Sequence, residues 1–387
     1  MKASINDIPK RNQVKLDKQK GIYNNGLDNA YPQRVERLIN ASVTAKTAAQ
    51  MLSKFIIGNG FEDETLNSVV ISSDIMGDLT LLKLHSQIAQ TLSRQNGASI
   101  QLQYDMNYKI SASCHTPFRN VRFGTTDSND YSGIMHVYNN WEKRDGIQFD
   151  AKKVLKVNTF NPNPDIVKAQ FDKYGRDYHG QLAVLRLDDE YIYPLAPIDP
   201  ALEDADTEAQ IKMFKNGELS TGFFAKYILW HTTFANDQEQ ADFKRVMNTF
   251  TSGNHTSSVL MSEGSFDENG NFNQANNFKL EKIEQNINDK IFESYEKSVA
   301  NNIRKSMYGL PSILIEQQDG AFFGTSGEAF KQAFNFYNTQ TKDIRSAVSQ
   351  WYQEIFKNSA NEYLSKANFT IKQLDYGTVD TSGTANV

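Results

Sequence analysis

Cys114 and His115 are a neighbouring thiol and imidazole, the pairing from which nucleophilic or metal chemistry is most readily built. A zinc site takes about four ligands, and a cysteine nucleophile takes a base that the fold brings to it. Cys114 is the one cysteine in the chain and the other histidines are dispersed, so the sequence specifies neither. Glu203, Asp204, Asp206 and Glu208 crowd the start of a predicted helix. Such acids offer oxygen ligands to a divalent cation, and they equally complement the positive end of a helix dipole with no further role. Two glycine-bearing strings, Gly58-Asn59-Gly60 and GAFFGTSGE at 320–328, lack the Gly-Lys-Ser/Thr of a loop that cradles phosphate. The reading is therefore not an enzyme: no catalytic residue, metal ligand set or cofactor is expected.

The elements around these residues are bounded by composition. A chain of 387 residues is long enough for roughly two or three domains. Its net charge of −5 is the wrong sign for tight, non-specific binding of nucleic acid, which draws its affinity from cations that release counterions. Loose contact with DNA stays open. A single cysteine leaves no intrachain disulfide framework and fits a reducing cytosol. No apolar run approaches the length of a membrane-spanning helix, about 18 residues. The opening MKASINDIPKRNQVKLDKQKG is polar and basic without an apolar h-region, so it reads as a mobile arm over 1–20 and not as a signal peptide.

Further along, Pro32 suits the first turn of a helix, and Val35, Leu38, Ile39, Ala45, Ala49, Leu52, Phe55 and Ile56 follow at helical spacing up to Gly58. A second helical pattern covers 76–95, with Gly97 closing it. From Ser99 to about Leu195 the pattern turns β-rich, with strands predicted at 99–104, 108–111, 119–123, 134–138, 154–159, 182–187 and 191–193. An acidic start then leads into a short helix over 203–219. A small α/β module occupies 220–284, containing a strand at 223–230 and an amphipathic helix at 236–250 with a Phe243, Val246, Met247, Phe250 stripe. A last strand is predicted at 369–374, ahead of a polar tail.

The stretch 285–337 carries no chemistry but the clearest pattern. Ile287, Ile291, Tyr295, Val299, Ile303 and Met307 form one apolar stripe along a helix over 285–308 of roughly 35 Å. Gly309 and Pro311 stop it, the first tolerating a left-handed backbone and the second unable to continue the ladder. A loop within 309–325 holds Gln317, Gln318, Asp319, Phe322 and Phe323, without lysine or arginine. Thr325 to Glu328 has the form of a capping box and restarts a helix predicted to run unbroken over 326–358, with a C-terminal strand and tail over 359–387.

The order is helix, inserted α/β module, long helix, loop and long helix behind a mixed α/β half. It resembles the portal proteins of tailed bacteriophages, in particular those of phages of Bacteroidetes-type hosts. The strings that carry the resemblance are YNNGLDNAYPQRVERLINAS with IIGNGF, YPLAPIDPALEDADTEAQIKMFKNGELSTGFF, NDKIFESYEKSVANNIRKSMYGLPSILI, and GTSGEAFKQAFNFYNTQT. They cover roughly 21–358, and no one of them is diagnostic alone. The resemblance implies an α+β portal fold. It would have an α/β wing over 21–202, a two-helix stem, a small α/β clip, a tunnel loop and a long wing-crossing helix. Only some thirty residues follow Phe356, so a helical crown is expected to be reduced or absent.

The resemblance further implies a homo-oligomeric ring, usually dodecameric, at one capsid vertex of the virion, assembled in the host cytoplasm. Double-stranded DNA would pass through it without sequence specificity. The major capsid protein, a terminase and head–tail adaptors would be its partners, with no membrane. Gln317, Gln318, Asp319, Phe322 and Phe323 would face the channel, with a surface loop packed into a neighbour as the alternative. Tyr295, Arg304 and Lys305 would belong to the stem, the two cations either facing the channel or offsetting the helix dipole. Trp230, Phe243 and Met247 would form the clip's adaptor-binding surface. Independently of the name, a ring needs two different adhesive faces per subunit, and 24 Phe with 17 Tyr can supply them as well as a core. The rival reading is a cytosolic α/β enzyme acting on nucleic acid or another polymer, with Asp199 and Asp206 in a cleft.

Overall fold

A computed structural model describes residues 14–75, 77–124, 133–142, 149–188, 190–221, 227–231, 237–238, 241–243, 245, 278–282, 289–315 and 327–375. The chain forms two compact units, one of Met1–Asp206 with Val299–Val387 and one of Thr207–Ser298. The fold class is α+β.

The first unit is built on a six-stranded mixed sheet. Its strands are β5 (Gly97–Tyr104), β6 (Ile110–Thr116), β7 (Val121–Phe123), β8 (Ile134–Val137), β9 (Leu155–Thr159) and β10 (Gln181–Arg186), in the order β6-β5-β10-β9-β8-β7. Two small hairpins precede them, β1 (Leu16–Asp17) with β2 (Ile22–Tyr23) and β3 (Val70–Asp74) with β4 (Gly77–Thr80). Among the described residues of the large sheet only β9 and β10 run parallel. Parallel neighbours need a long crossover, and helix α5 (Pro164–Tyr174) provides it. The sequence reading passed over α5, although Asn163-Pro164 is an N-cap followed by an N1 proline, and the Asn163 side chain does accept from the Asp165 amide at 3.0 Å.

One sheet face, with Ala98, Ile100, Leu102 and Ala183, is covered by α1 (Tyr31–Ala41), α2 (Val43–Ile57), the short α3 (Glu64–Ser68) and α4 (Leu81–Gln95) in one continuous core. Ser42 caps α2 and Thr80 caps α4 through their hydroxyls. The other face, with Phe123, Met135, Val157 and Leu182, forms a smaller cluster with Phe118, Val121 and Tyr193. Predicted and observed strands differ where turn chemistry intervenes. The strand expected at 108–111 starts at Ile110 and runs to Thr116, because Tyr108 sits in a turn with φ of 62° whose amides bond the Asp105 carboxylate. No strand forms at 191–193. The strand expected at 369–374 reduces to one bridge, Ile371 to Phe61, and a short helix, Glu362–Lys366, precedes it, capped by Asn361.

The helix predicted to be unbroken over 326–358 is two helices, Gly327–Gln340 and Lys342–Phe356. Side chains cut the ladder at the join. The Arg345 guanidinium donates to the Asn338 carbonyl (2.8 Å), to Thr341 Oγ1 (2.7 Å) and to the Phe55 carbonyl (2.8 Å), and the Thr341 hydroxyl donates back to the Tyr337 carbonyl (2.9 Å). The Asn338 oxygen that an unbroken helix would offer to the Lys342 amide is taken by a side chain.

Helices Leu202–Thr221 (α6) and Asp289–Ser306 (α7) each contribute to both units. The predicted end of α7 at Tyr308 moves back to Ser306, because Tyr308 (φ 56°) and Gly309 (φ 66°) are both left-handed. The amides of Gly309 and Leu310 then bond the carbonyls of Lys305 (3.1 Å) and Arg304 (3.0 Å), which closes the helix C-terminus. In the second unit β11 (Tyr227–His231) pairs antiparallel with β12 (Phe278–Lys282), from Tyr227 opposite Lys282 to His231 opposite Phe278. Residues 237–238, 241–243 and 245 are helical.

Candidate functional site

The structure separates the groups that looked most like chemistry. Cys114 and His115 are successive residues of β6, so their side chains leave opposite faces of the sheet. The Cys114 thiol is half-buried, and burial together with the nearby Asp74 carboxylate pushes its pKa up, away from the thiolate a nucleophile needs. His115 Nε2 lies 2.9 Å from the Thr91 hydroxyl, and burial with the Arg119 charge brings its pKa down to about 4. The acids at the start of α6 do not converge. Asp204 accepts from the Asn302 side chain of α7 at 3.2 Å, and among the described residues no group of three or more His, Cys, Asp or Glu is placed to hold a metal.

Gly58-Asn59-Gly60 serves backbone pairing. The Asn59 amide bonds the Lys372 carbonyl (3.2 Å) and the Lys372 amide bonds the Gly60 carbonyl (2.8 Å). Gly58 has φ of 60°, and a Cβ there would lie 1.9 Å from the Lys372 oxygen, so only glycine admits this approach.

Asp199, the carboxylate the enzyme reading would place in a cleft, is buried. It accepts from the Tyr31 hydroxyl at 2.7 Å, and the same hydroxyl receives the Ala196 amide at 3.0 Å. The pair fastens α1 to the approach to α6. Tyr31→Phe is expected to cost about 1–3 kcal/mol, the usual penalty for stripping a partner from a buried polar group, read as a lower urea midpoint with an unchanged m-value. A change below a few tenths of a kcal/mol would show that the bond has no such role.

Tyr295, Arg304 and Lys305 lie on α7 with different surroundings. Tyr295 is 57% exposed. Two turns on, Arg304 is half-buried and burial lowers its pKa, while Lys305 faces solvent. In the first unit Val299, Ile303 and Met307 continue the Tyr295 stripe and are buried, with the Met307 carbonyl receiving the Tyr337 hydroxyl at 3.0 Å. In the second unit Lys215 of α6 pairs with Glu296 of α7. One side-chain contact thus joins α6 and α7 within each unit. Met213 and Phe214 of α6 are exposed at 74% and 44%.

Trp230 lies in β11 and Phe243 in the helical residues 241–243, half-buried. Met247 and the loop residues Gln317, Gln318, Asp319, Phe322 and Phe323 lie outside the described residues.

Sequence reasoning missed the buried polar anchors. Arg122, His85 and Arg345 are all buried. Each partners a residue far away in the chain, and no local pattern marks them.

No family model matches the chain, and no curated protein matches it. Among solved structures it is similar to a chain in the neck of an empty gene transfer agent particle, with a TM-score of 0.46 and 11% identity over 90% of this chain and 86% of that one. It is also similar to an HK97 family phage portal protein from Corynebacterium diphtheriae, with a TM-score of 0.45 and 14% identity over 85% and 93%. Likenesses of this degree carry no weight in assigning function.

Proposed function

We propose that this chain is the portal subunit of a tailed-phage-type particle. In this reading copies assemble into a ring, dodecameric by the family's habit, through which double-stranded DNA is packaged and ejected. The observation that carries it is the course of the α7 stripe. Val299, Ile303 and Met307 are buried in the chain's own core, whereas Tyr295, on the same stripe, is exposed, as are Met213 and Phe214 of α6. An amphipathic face that outruns its own core fits burial against further copies. The paired α6 and α7 flanking a module with a small two-stranded sheet support a stem and clip. Four sequence strings, in order, support the same family. The major capsid protein, terminase and head–tail adaptors are the partners this reading assigns, with Trp230, Phe243 and Met247 at the adaptor surface. Gln317, Gln318, Asp319, Phe322 and Phe323 form a gate around DNA, and their lack of cations favours a gasket over a grip.

The test is the mass and shape of the purified chain. Twelve copies of a 43.9 kDa chain make a closed particle of about 530 kDa with a central hole in negative-stain images. A chain that stays monomeric at all salt and protein concentrations counts against the reading. Deleting 317–323 is expected to leave ring formation intact and to reduce DNA retention in a packaging assay. Loss of the ring would instead make that loop structural.

A further inference from the structure

The Phe123 face of the large sheet carries an apolar cleft, and the chain enters the fold at its margin. The cleft, of about 470 Å³, is lined by Phe123, Met135 and Leu182 of the smaller apolar cluster and by Tyr23, Ile192 and Trp351. Phe123, Met135 and Leu182 belong to β7, β8 and β10, so the cleft spans the sheet from β7 to β10. The two charged groups on its lining, Arg186 and Glu354, are of opposite sign and select neither a basic nor an acidic occupant. Walls of aromatic and aliphatic groups are an unfavourable surface to leave in water.

The course of the chain supplies a cover. β2 extends the sheet past β7 through the bridge between Ile22 and Gly124, and β1 pairs outside β2. Leu16 of β1 stands opposite Tyr23, which lines the cleft. Val14 packs against the same cluster that supplies Phe123, Met135 and Leu182. Residues 1–13 therefore join the fold beside the cleft and on its side of the sheet. Their branched aliphatic side chains are Ile5 and Ile8. Ile8 lies six residues before Val14, a reach of roughly 20 Å in extended chain. From β1 to β8 is three strand spacings, roughly 15 Å. Pro9 disfavours helix at Ile8 and biases it toward extended backbone, which lowers the entropy lost on docking. A segment tethered this closely acts at an effective concentration on the order of millimolar.

We propose that residues 5–8 dock in the cleft of their own chain, with Ile8 against Phe123 and Met135, so that the N-terminal arm straps the Phe123 face of the sheet. The contact lies within one copy and does not depend on the ring.

The experiment uses the full chain in a Cys114→Ser background at low protein concentration. Ile8→Cys is combined with Ile192→Cys, since Ile192 lines the cleft and is 37% exposed. The control pairs Ile8→Cys with Val43→Cys, since Val43 is 59% exposed and opens α2, over the other face. Mild oxidation is expected to close an internal disulfide in the cleft pair about tenfold faster than in the control, read as faster migration in non-reducing gels. Equal rates in the two pairs would show an arm with no preferred site and overturn the docking. Cross-linked dimers in place of the internal disulfide would put the arm on a second copy and overturn it equally. In parallel, deleting 1–13, or replacing Ile5 and Ile8 together by Asp, is expected to leave circular dichroism unchanged and to raise the fluorescence of added anilinonaphthalene sulfonate about twofold or more, as the apolar cleft opens to the dye. Unchanged dye fluorescence in both variants would show that the arm does not cover the cleft.

Discussion

Arg122→Ala is expected to destabilise the chain by about 1–3 kcal/mol, the usual cost of taking the partner from buried polar groups. Arg122 has no solvent exposure. Its guanidinium donates to the Asn29 side-chain oxygen, to the Asn29 carbonyl (2.8 Å), to the Arg119 carbonyl (2.9 Å) and to the Val121 carbonyl (2.8 Å). It lies 5.3 Å from the centre of the Trp141 ring. These oxygens are neutral, so the charge is held by dipoles and a π face, and burial brings its pKa down to about 10 against a weaker opposing pull from Tyr193. Removing the side chain takes one donor from each of these oxygens and unfastens the loop before α1 from the β7 edge. Arg122→Lys is expected to recover little, because an ammonium cannot reproduce the planar fork that reaches these oxygens. Urea unfolding checks both: the alanine variant should show a lower midpoint with an unchanged m-value. A loss under about 1 kcal/mol, the size of a surface effect, would show that the network is not a structural anchor.

Acid should weaken the chain through His85. This histidine is fully buried between Phe61, 5.4 Å away centre to centre, and Tyr352, 5.8 Å away, with Nδ1 3.3 Å from the Tyr352 hydroxyl. Burial lowers its pKa from 6.5 to about 4, outweighing an opposite pull from the Ile56 and Ile57 backbone. The unfolded chain therefore takes up a proton near pH 6.5 that the folded chain refuses until about pH 4. The contribution is complete above pH 6.5 and is lost as pH falls through that window, to a maximum of about 3 kcal/mol at 1.36 kcal/mol per pKa unit. His136 and His115 are shifted the same way by burial, each helped by a nearby cation, Lys156 and Arg119. Urea unfolding at pH 7.5 and at pH 4.5 should show a marked drop for the parent chain. For His85→Gln, which cannot titrate, the drop should be smaller by about 2–3 kcal/mol. Equal pH dependence in the two chains would remove His85 as its source.

Much of the helical framework was legible because its signals are local. Val35 and Ile39 fall one turn apart on α1, and Gly309 takes the left-handed backbone that the stop after α7 requires, whereas the caps Ser42 and Thr80 fall inside stretches read as single helical patterns and mark where helices Val43–Ile57 and Leu81–Gln95 start. Strand boundaries read less well, because a side chain outside the strand sets them, as Asp105 does at the Tyr108 turn. The break at Thr341 was invisible for a related reason. Its cause is the Arg345 guanidinium anchored on Phe55, 290 positions away in the chain.

By itself the sequence determined the period of the α7 stripe, the stop that follows it, the acidic balance, and the lack of a phosphate-loop motif. Each depends on residue type and on neighbours within a turn or two. Only the tertiary structure decided which part of the stripe is buried, that Cys114 and His115 face apart, and that Arg122 meets Asn29 across 93 positions and His85 meets Tyr352 across 267. Burial and long-range pairing belong to the packed chain, because the free energy of a polar or apolar group depends on what surrounds it and not on its place in the sequence.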